Sequence, residues 1–447
     1  MKIALVQPRY PHGKAQIYLP GGLMNLGSRL MHAGLEVDLF DRNLDPLPDH
    51  HKYDVVGFSV LGPPYIPSAI AETRKLRARG FTGRVLVGGE GVARLEQSDF
   101  GCWFGTSCTR IANDSDLARE LGPNVPSMYE TSMRAMLEKL PIKRQRLYLT
   151  REFGLFMSQG CKFNCLFCAA TKRSPEMYRS LASLEDEMRY VCEMISGAGQ
   201  KQLECYLSNL DCFQNVHHLE PRLQAIARIA VEHGLEVSIR ALATSRCTTE
   251  ACAKDPDLPR RLRSYGLRIV GFGADGADEE VWKRENKRHN NIGELRLAVR
   301  TMRGADIVPE VLMVFGFKDD SEQNLTNDVK FCFEQAHGGA AIRPYLGKTY
   351  TPSGNWPRQG EEGYEFTLPF REDPELLLNL DYAMCGSEYT HPDPTQRNLA
   401  NRAYLQVVST LGPERCPTSP LTPFTRKGFG ARKKSAMAIN RRQPFDR

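Results

Sequence analysis

Apolar positions in the first hundred residues come in two spacings, and the two spacings alternate. Lys2-Ile3-Ala4-Leu5-Val6-Gln7 is a short apolar run closed by Pro8, which predicts a buried strand. Leu23, Leu26, Leu30 and Met31 then share one helical face, so a helix is predicted over 23–33, opened by Pro20-Gly21-Gly22 and ended by Gly34. Further strands are predicted over 36–40, 54–60 and 84–87, with a helix over 69–79 between the last two. This order is that of βαβ units and implies a parallel sheet wrapped by helices. Residues 101–143 are less regular, with short helices predicted over 114–121 and 128–140 and a connector running to about 150.

From 153 the alternation resumes with a stricter beat. Strands are predicted over 153–157, 203–207, 236–243, 267–272, 307–315 and 340–343. Helices fall between them at 184–195, 219–233, 255–265, 293–302 and 321–336, the first capped by Ser183. The units describe an open (β/α)6 barrel, whose chemistry belongs at the carboxyl ends of its strands. The last hundred residues carry helices predicted over 374–379 and 395–411 and are expected to cover the barrel mouth. There Tyr345, Tyr350, Trp356 and Tyr382 are candidates for substrate contact or for ordinary packing.

A chain of 447 residues suits two or three domains at ~150 residues each. Hydrophobic residues make up 41% and charged ones 25%, and no run reaches the ~20 apolar residues of a membrane span, so a cytoplasmic protein is expected. Residues 426–447 hold eight Lys/Arg and one Asp, a tail of +7 within a net charge of +6. The rest is nearly neutral, which argues against a nucleic-acid-binding body. The thirteen cysteines are odd in number and scattered, which excludes a disulfide framework and fits a reducing compartment. Most read as small buried hydrophobes. Cys212, at a strand end, is a candidate reactive thiol.

One tight group remains: Cys161, Cys165 and Cys168 at C-x3-C-x2-C, with Phe167 just before the third. Three thiolates converging on one point suit a [4Fe-4S] cluster with one open iron, whereas a structural zinc site wants four ligands. Zinc or free thiols are the alternatives. The loop resembles the cluster loop of radical S-adenosylmethionine (SAM) enzymes. The resemblance implies that the open iron chelates the amino and carboxylate groups of SAM, and that an electron from the cluster cleaves SAM to a 5'-deoxyadenosyl radical. It also implies an electron donor such as flavodoxin or ferredoxin.

The same resemblance supplies further site residues. Glu176-x-Tyr178-Arg179 is similar to the segment after the cluster loop, where Arg179 pairs with the SAM carboxylate or a nearby acid, or is a solvated charge. Asn209 and Asp211 are the candidates for the SAM amino group, Arg246 in Thr244-Ser245-Arg246 for its ribose or carboxylate, and Asp275 for the position where relatives commonly carry Glu. Lys287 matches a family lysine or is a solvated charge. Val314-Phe315-Gly316 resembles the patch against adenine.

Residues 1–115 resemble the cobalamin-binding domain that precedes many radical SAM cores. That implies cobalamin contacts at Pro20, Gly21, Gly22, Ser59, Gly88, Gly89 and Glu90. The D-x-H-x-x-G signature is absent, since His12, His32, His50 and His51 do not fall in it, and no G-x-G-x-x-G follows the first strand, which disfavours a dinucleotide. An empty flavodoxin-like domain is the other reading. The expected fold class is therefore α/β: a Rossmann-like, cobalamin-binding-type domain (1–115), a connector (116–150), a radical SAM partial TIM barrel (151–348), a substrate-covering region (349–425) and the tail. The expected activity is cobalamin-dependent methylation of an unactivated carbon of a small metabolite. The rivals are a cobalamin-independent rearrangement, oxidation or cyclisation, and a zinc-binding, RNA-associated scaffold.

Overall fold

The computed structural model describes residues 1–10, 17–93, 95–122, 124–168, 176–317, 320–347, 372–380 and 394–417. The tail 426–447, Tyr350, Trp356, Tyr382 and His12 lie outside them.

Strands β1 (Lys2–Gln7), β2 (Glu36–Asp41), β3 (Val55–Ser59), β4 (Arg84–Gly88) and β5 (Cys108–Ile111) form one parallel sheet in the order β2-β1-β3-β4-β5. Alternation along β1 decides which helix covers which face. Ile3 and Leu5 pack with Leu23, Met24 and Leu30 of α1 (Gly21–His32). Ala4 and Val6 pack with Ile66, Ala69 and Ile70 of α2 (Ile66–Ala78). Strand order reverses between β1 and β3, the switch point where open α/β sheets take ligands at the carboxyl edge. Helix α3 (Gln97–Phe104) and β5 extend the sheet beyond the four strands expected.

Helices α4 (Asp114–Leu121), α5 (Arg134–Glu138) and α6 (Ile142–Leu149) form the connector. It is tied to the first sheet at β2's end: Tyr148 donates to Asp41 at 2.8 Å and Arg144 to Asp45 at 2.8 Å. These two bonds explain a helix at α6, where Lys143, Arg144 and Arg146 obscure the pattern. The helix expected over 128–140 shortens to α5, which reaches α1 because Gly27 leaves room for Met136.

The second sheet is parallel, in the order β6-β9-β10-β11-β12-β13: β6 (Phe153–Phe156), β9 (Gln202–Ser208), β10 (Glu236–Ala243), β11 (Leu267–Gly273), β12 (Val308–Phe315) and β13 (Ala341–Leu346). A separate antiparallel pair, β7 (Ser158–Gln159) with β8 (Met177–Tyr178), sits between β6 and β9 in the chain. Its covering helices are α7 (Leu181–Gly197), α8 (Val216–Glu232), α9 (Ser245–Lys254), α10 (Leu258–Ser264), α11 (Glu279–Arg284), α12 (Ile292–Gly304) and α13 (Glu322–His337). Two expectations are corrected here. Ser180, not Ser183, caps α7, accepting from Ser183 N at 3.3 Å. The helix expected over 255–265 is α10, and a further helix that was not expected, α9, precedes it and ends at Asp255.

The described C-terminal residues divide. Helix α14 (Pro394–Arg415) packs along β13, β12 and α13, burying Ala400, Ala403, Tyr404, Val407 and Val408. The 3-10 turn Pro374–Leu380 goes instead to the first sheet, where Leu377 is fully buried with Val6, Val56 and Ile66. That part does not lie over the second sheet's mouth, as the sequence had suggested.

Candidate active site

The three-cysteine loop leaves β7 at Gly160, whose φ of 124° suits glycine, and returns at β8. Cys161, Cys165 and Cys168 are half-buried, and Cys168 N donates to Cys165 O at 3.3 Å. Residues 169–175 lie outside the described set. Burial pushes the Cys161 thiol up, so a metal must displace its proton on binding.

Segment 285–289 holds the loop from the far side. Leu166 N donates to Glu285 O at 2.9 Å, and Asn286 Nδ2 to Asn164 O at 2.7 Å. Phe163 stacks on His289 with centroids 3.7 Å apart, and Phe167 meets Phe317 at 5.4 Å. His289 is pushed down to about 3, first by burial and then by Lys287, Arg246 and Lys162, so it is a neutral flat ring at neutral pH. Sequence reasoning missed Glu285, Asn286 and His289. Only their crowding beside Lys287 hinted at them.

The expected SAM residues fare differently from one another. Asp275, at φ 48° beyond β11, is ion-paired with Lys287, whose Nζ lies 5.5 Å from the Phe167 ring. Phe167, Asp275 and Lys287 are thus brought together, and Lys287 is buried rather than solvated. Asp211 is buried, accepting from Thr244 Oγ1 at 2.7 Å and Phe213 N at 3.1 Å, and burial pushes its carboxyl up. The Asn209 amide, oriented to satisfy both ends, donates to Leu207 O at 3.3 Å and accepts from Cys212 N at 3.1 Å. Both residues brace the end of β9 and turn their polar atoms to the chain itself. Arg246 is half-exposed and pairs with Glu250 at 2.9 Å along α9, apart from Phe167 and Asp275 in its contacts. Beside it, Ser245 Oγ is buried with no hydrogen-bond partner among the described residues.

Three other readings change. Of the alternatives for Arg179, pairing with a nearby acid holds and the solvated and ligand readings fall: it is 1% exposed and forks onto Glu187 at 2.8 and 2.6 Å. Cys212 is fully buried and its thiol is pushed well up by burial, which removes the case for a reactive thiol. Phe315 faces the helices in the apolar core, and Gly316 lies under Ala400, so of the expected adenine patch only Val314 is half-exposed.

At the carboxyl edge of the first sheet, Gly21 lies 3.8 Å from Gly154 O of β6 when given a Cβ, so α1 starts against the second sheet. Pro20 is buried, and the space beside Gly22 is open. Ser59 and Gly88 are register partners. Gly89, at φ 103°, serves the protein's own packing: a Cβ there would meet Val60 O at 2.5 Å, while Gly91 N donates to Val60 O at 2.9 Å. Glu90 is exposed. Tyr18 and Leu61 are 54% and 52% exposed at this edge, and Gln7 Oε1 is buried without a partner among the described residues. An exposed tyrosine and leucine and an orphaned amide at one sheet edge suit a large, mostly apolar group with polar substituents. His32, His50 and His51 lie at the opposite edge, at the end of α1 and ahead of β3.

Residues 155–332 match the family model described as Radical SAM superfamily. The core of this chain is a radical SAM domain. Over 183 residues the chain is 21% identical to bacteriochlorophyllide d C-12(1)-methyltransferase of Chlorobaculum tepidum, a match covering 40% of this chain and 37% of that relative. The chain therefore spans little more than a third of the curated relative it matches. The radical SAM methyltransferase TsrM of Kitasatospora setae, solved with cobalamin and a [4Fe-4S] cluster bound, superposes with a TM-score of 0.59 at 16% identity, over 79% of this chain and 76% of that one. The cobalamin-dependent radical SAM enzyme OxsB, solved with aqua-cobalamin, superposes with a TM-score of 0.58 at 13% identity, over 85% and 56%. Both matches extend beyond the radical SAM domain, and the shared fold is a Rossmann-like parallel sheet joined to a partial barrel.

Proposed function

We propose that this chain is a radical SAM methyltransferase that works with a [4Fe-4S] cluster, SAM and cobalamin on a small-molecule substrate. The observation that carries the reading is the three-cysteine loop, fixed on both sides, in a chain whose first sheet opens its carboxyl edge beside β6. When bound, cluster and SAM supply a carbon-centred radical able to take hydrogen from an unactivated carbon, and cobalamin supplies a methyl group.

The chain's own residues bind and shield. Cys161, Cys165 and Cys168 hold the cluster. Phe167 with the Asp275–Lys287 pair, and the orphaned Ser245 hydroxyl, meet SAM. Asn209 and Asp211 keep the end of β9 in place. Pro20, Gly21, Gly22, Ser59, Gly88 and Glu90, with Gln7, line the cobalamin edge, and Gly89 shapes it. TsrM has been solved with tryptophan substrate and a SAM analogue, and a substrate of similar size, placed between the two edges, fits this reading. A small electron-transfer protein such as flavodoxin or ferredoxin supplies the electron, in a reducing compartment such as the cytoplasm. Among the described residues no helix is long and apolar enough to cross a membrane.

The test is anaerobic reconstitution with hydroxocobalamin and methyl-labelled SAM. Stoichiometric cobalt and label in a product support the reading. Cobalt-free protein that still forms 5'-deoxyadenosine moves the chain to cobalamin-independent chemistry.

A further inference from the structure

Glu176 is the first described residue after the cluster loop, and its carboxylate collects four donors. Ser158 Oγ reaches one oxygen at 2.5 Å; Tyr178 OH, Gln214 Nε2 and Asn215 Nδ2 reach the other at 2.8, 2.9 and 3.1 Å. Ser158 and Tyr178 are register partners in the β7–β8 pair, so the carboxylate staples the neck of the loop. Gln214 and Asn215 come from the turn before α8, so the neck is also tied to that turn. Pointing its amide nitrogen at Glu176, Gln214 turns its oxygen the other way, where it accepts from Lys162 N at 2.8 Å, next to Cys161. Four donors on two oxygens suit an acceptor-only group, as an ionised carboxylate is.

We infer that Glu176 is a positioning residue for the cluster, setting both how Cys161 is held and the reduction potential at which the cluster takes its electron. The inference rests on the proposed cluster at Cys161, Cys165 and Cys168. Its structural half is the path Glu176–Gln214–Lys162 N. Its electrostatic half is the negative charge of a carboxylate fixed at the neck of the loop, one side chain away from the backbone next to Cys161. A negative charge there disfavours adding an electron, so its removal raises the potential.

The test compares the full chain, reconstituted anaerobically with iron and sulfide, as wild type, Glu176→Gln and Glu176→Asp. The readouts are iron content and the midpoint potential from an EPR-monitored titration. Glu176→Gln is expected to shift the midpoint positive by about tenfold in reduced fraction at fixed potential, or ~59 mV for one electron. Glu176→Asp, which keeps the charge, is expected to stay close to wild type. A wild-type midpoint in Glu176→Gln at equal iron content overturns the inference. If Glu176→Gln takes up no iron, Gln214→Leu decides, because it keeps the charge and three of its four donors while cutting the path to Lys162 N. Loss of iron to a chelator at least threefold faster, at an unshifted potential, supports the inference, and wild-type retention overturns it. A wild-type chain that takes up no iron overturns this inference and the proposed function together, whereas a failure confined to the variants concerns Glu176 alone.

Discussion

Replacing Arg179 with methionine separates a residue that holds the fold from one that holds a ligand. Its guanidinium donates to both oxygens of Glu187 at 2.8 and 2.6 Å, and to Ser183 Oγ and O at 3.0 and 2.9 Å. Glu187 is 2% exposed, and its other donor among the described residues is Met133 N at 2.8 Å. Arg179→Met therefore leaves a buried carboxylate with a single hydrogen bond, which costs about 3–5 kcal/mol. Adding Glu187→Met removes the stranded charge and leaves Met133 N and Ser183 Oγ short of a partner, at about 1–3 kcal/mol each. The double variant should thus be less destabilised than the two singles summed, with a coupling of about 2 kcal/mol or more. Urea unfolding of the three variants in the absence of cofactor measures this. An Arg179→Met chain within about 1 kcal/mol of wild type that no longer binds SAM would refute the structural role and restore the ligand role.

Three further outcomes follow from the geometry. Gly89→Ala combines a positive φ with a clash on Val60 O and should destabilise by about 2–4 kcal/mol in thermal or urea unfolding. Gly22→Ala meets no atom within 4 Å, so it should leave stability unchanged while weakening hydroxocobalamin binding, as followed by its visible absorption. Asp320 accepts from Gly316 N and Phe317 N, and its carboxyl is pushed up to about 7, chiefly by burial. That value lies above the 3.8 of an unperturbed Asp, so its stabilising contribution is complete below about pH 4 and is lost as pH rises through about 7. Asp320→Asn should flatten the stability profile between those limits, by up to about 4 kcal/mol; an unchanged slope would contradict it.

Where burial is one-sided and periodic, the residues alone locate the elements. β1 and β10 match the expected spans, because every second residue of β10 enters the core and β1 is apolar almost throughout. Elements held by polar contacts were not legible. β5 is a short edge strand with Thr109 and Arg110 half-buried, α9 buries Cys247 and Thr248 rather than large apolar residues, and α6 depends on Asp41 and Asp45, about a hundred positions away. Cys161, Cys165 and Cys168 declare themselves by spacing within eight residues. Asp211, Arg179 and Glu176 did not, because their roles depend on Thr244, Glu187 and Gln214, which only the folded chain brings near. Acidic or basic identity suggested ligand contacts, and burial shows which of those charges are internal.

In the proposed function, Cys161, Cys165 and Cys168 hold a cluster that cleaves SAM. The most direct test is anaerobic reconstitution of wild type and Cys165→Ala, with iron, sulfide and 5'-deoxyadenosine measured after reduction in the presence of SAM. The wild-type chain is expected to hold about four irons and four sulfides and to form 5'-deoxyadenosine, and the variant to lose all three. A colourless wild-type chain that binds one zinc and forms no 5'-deoxyadenosine would contradict it.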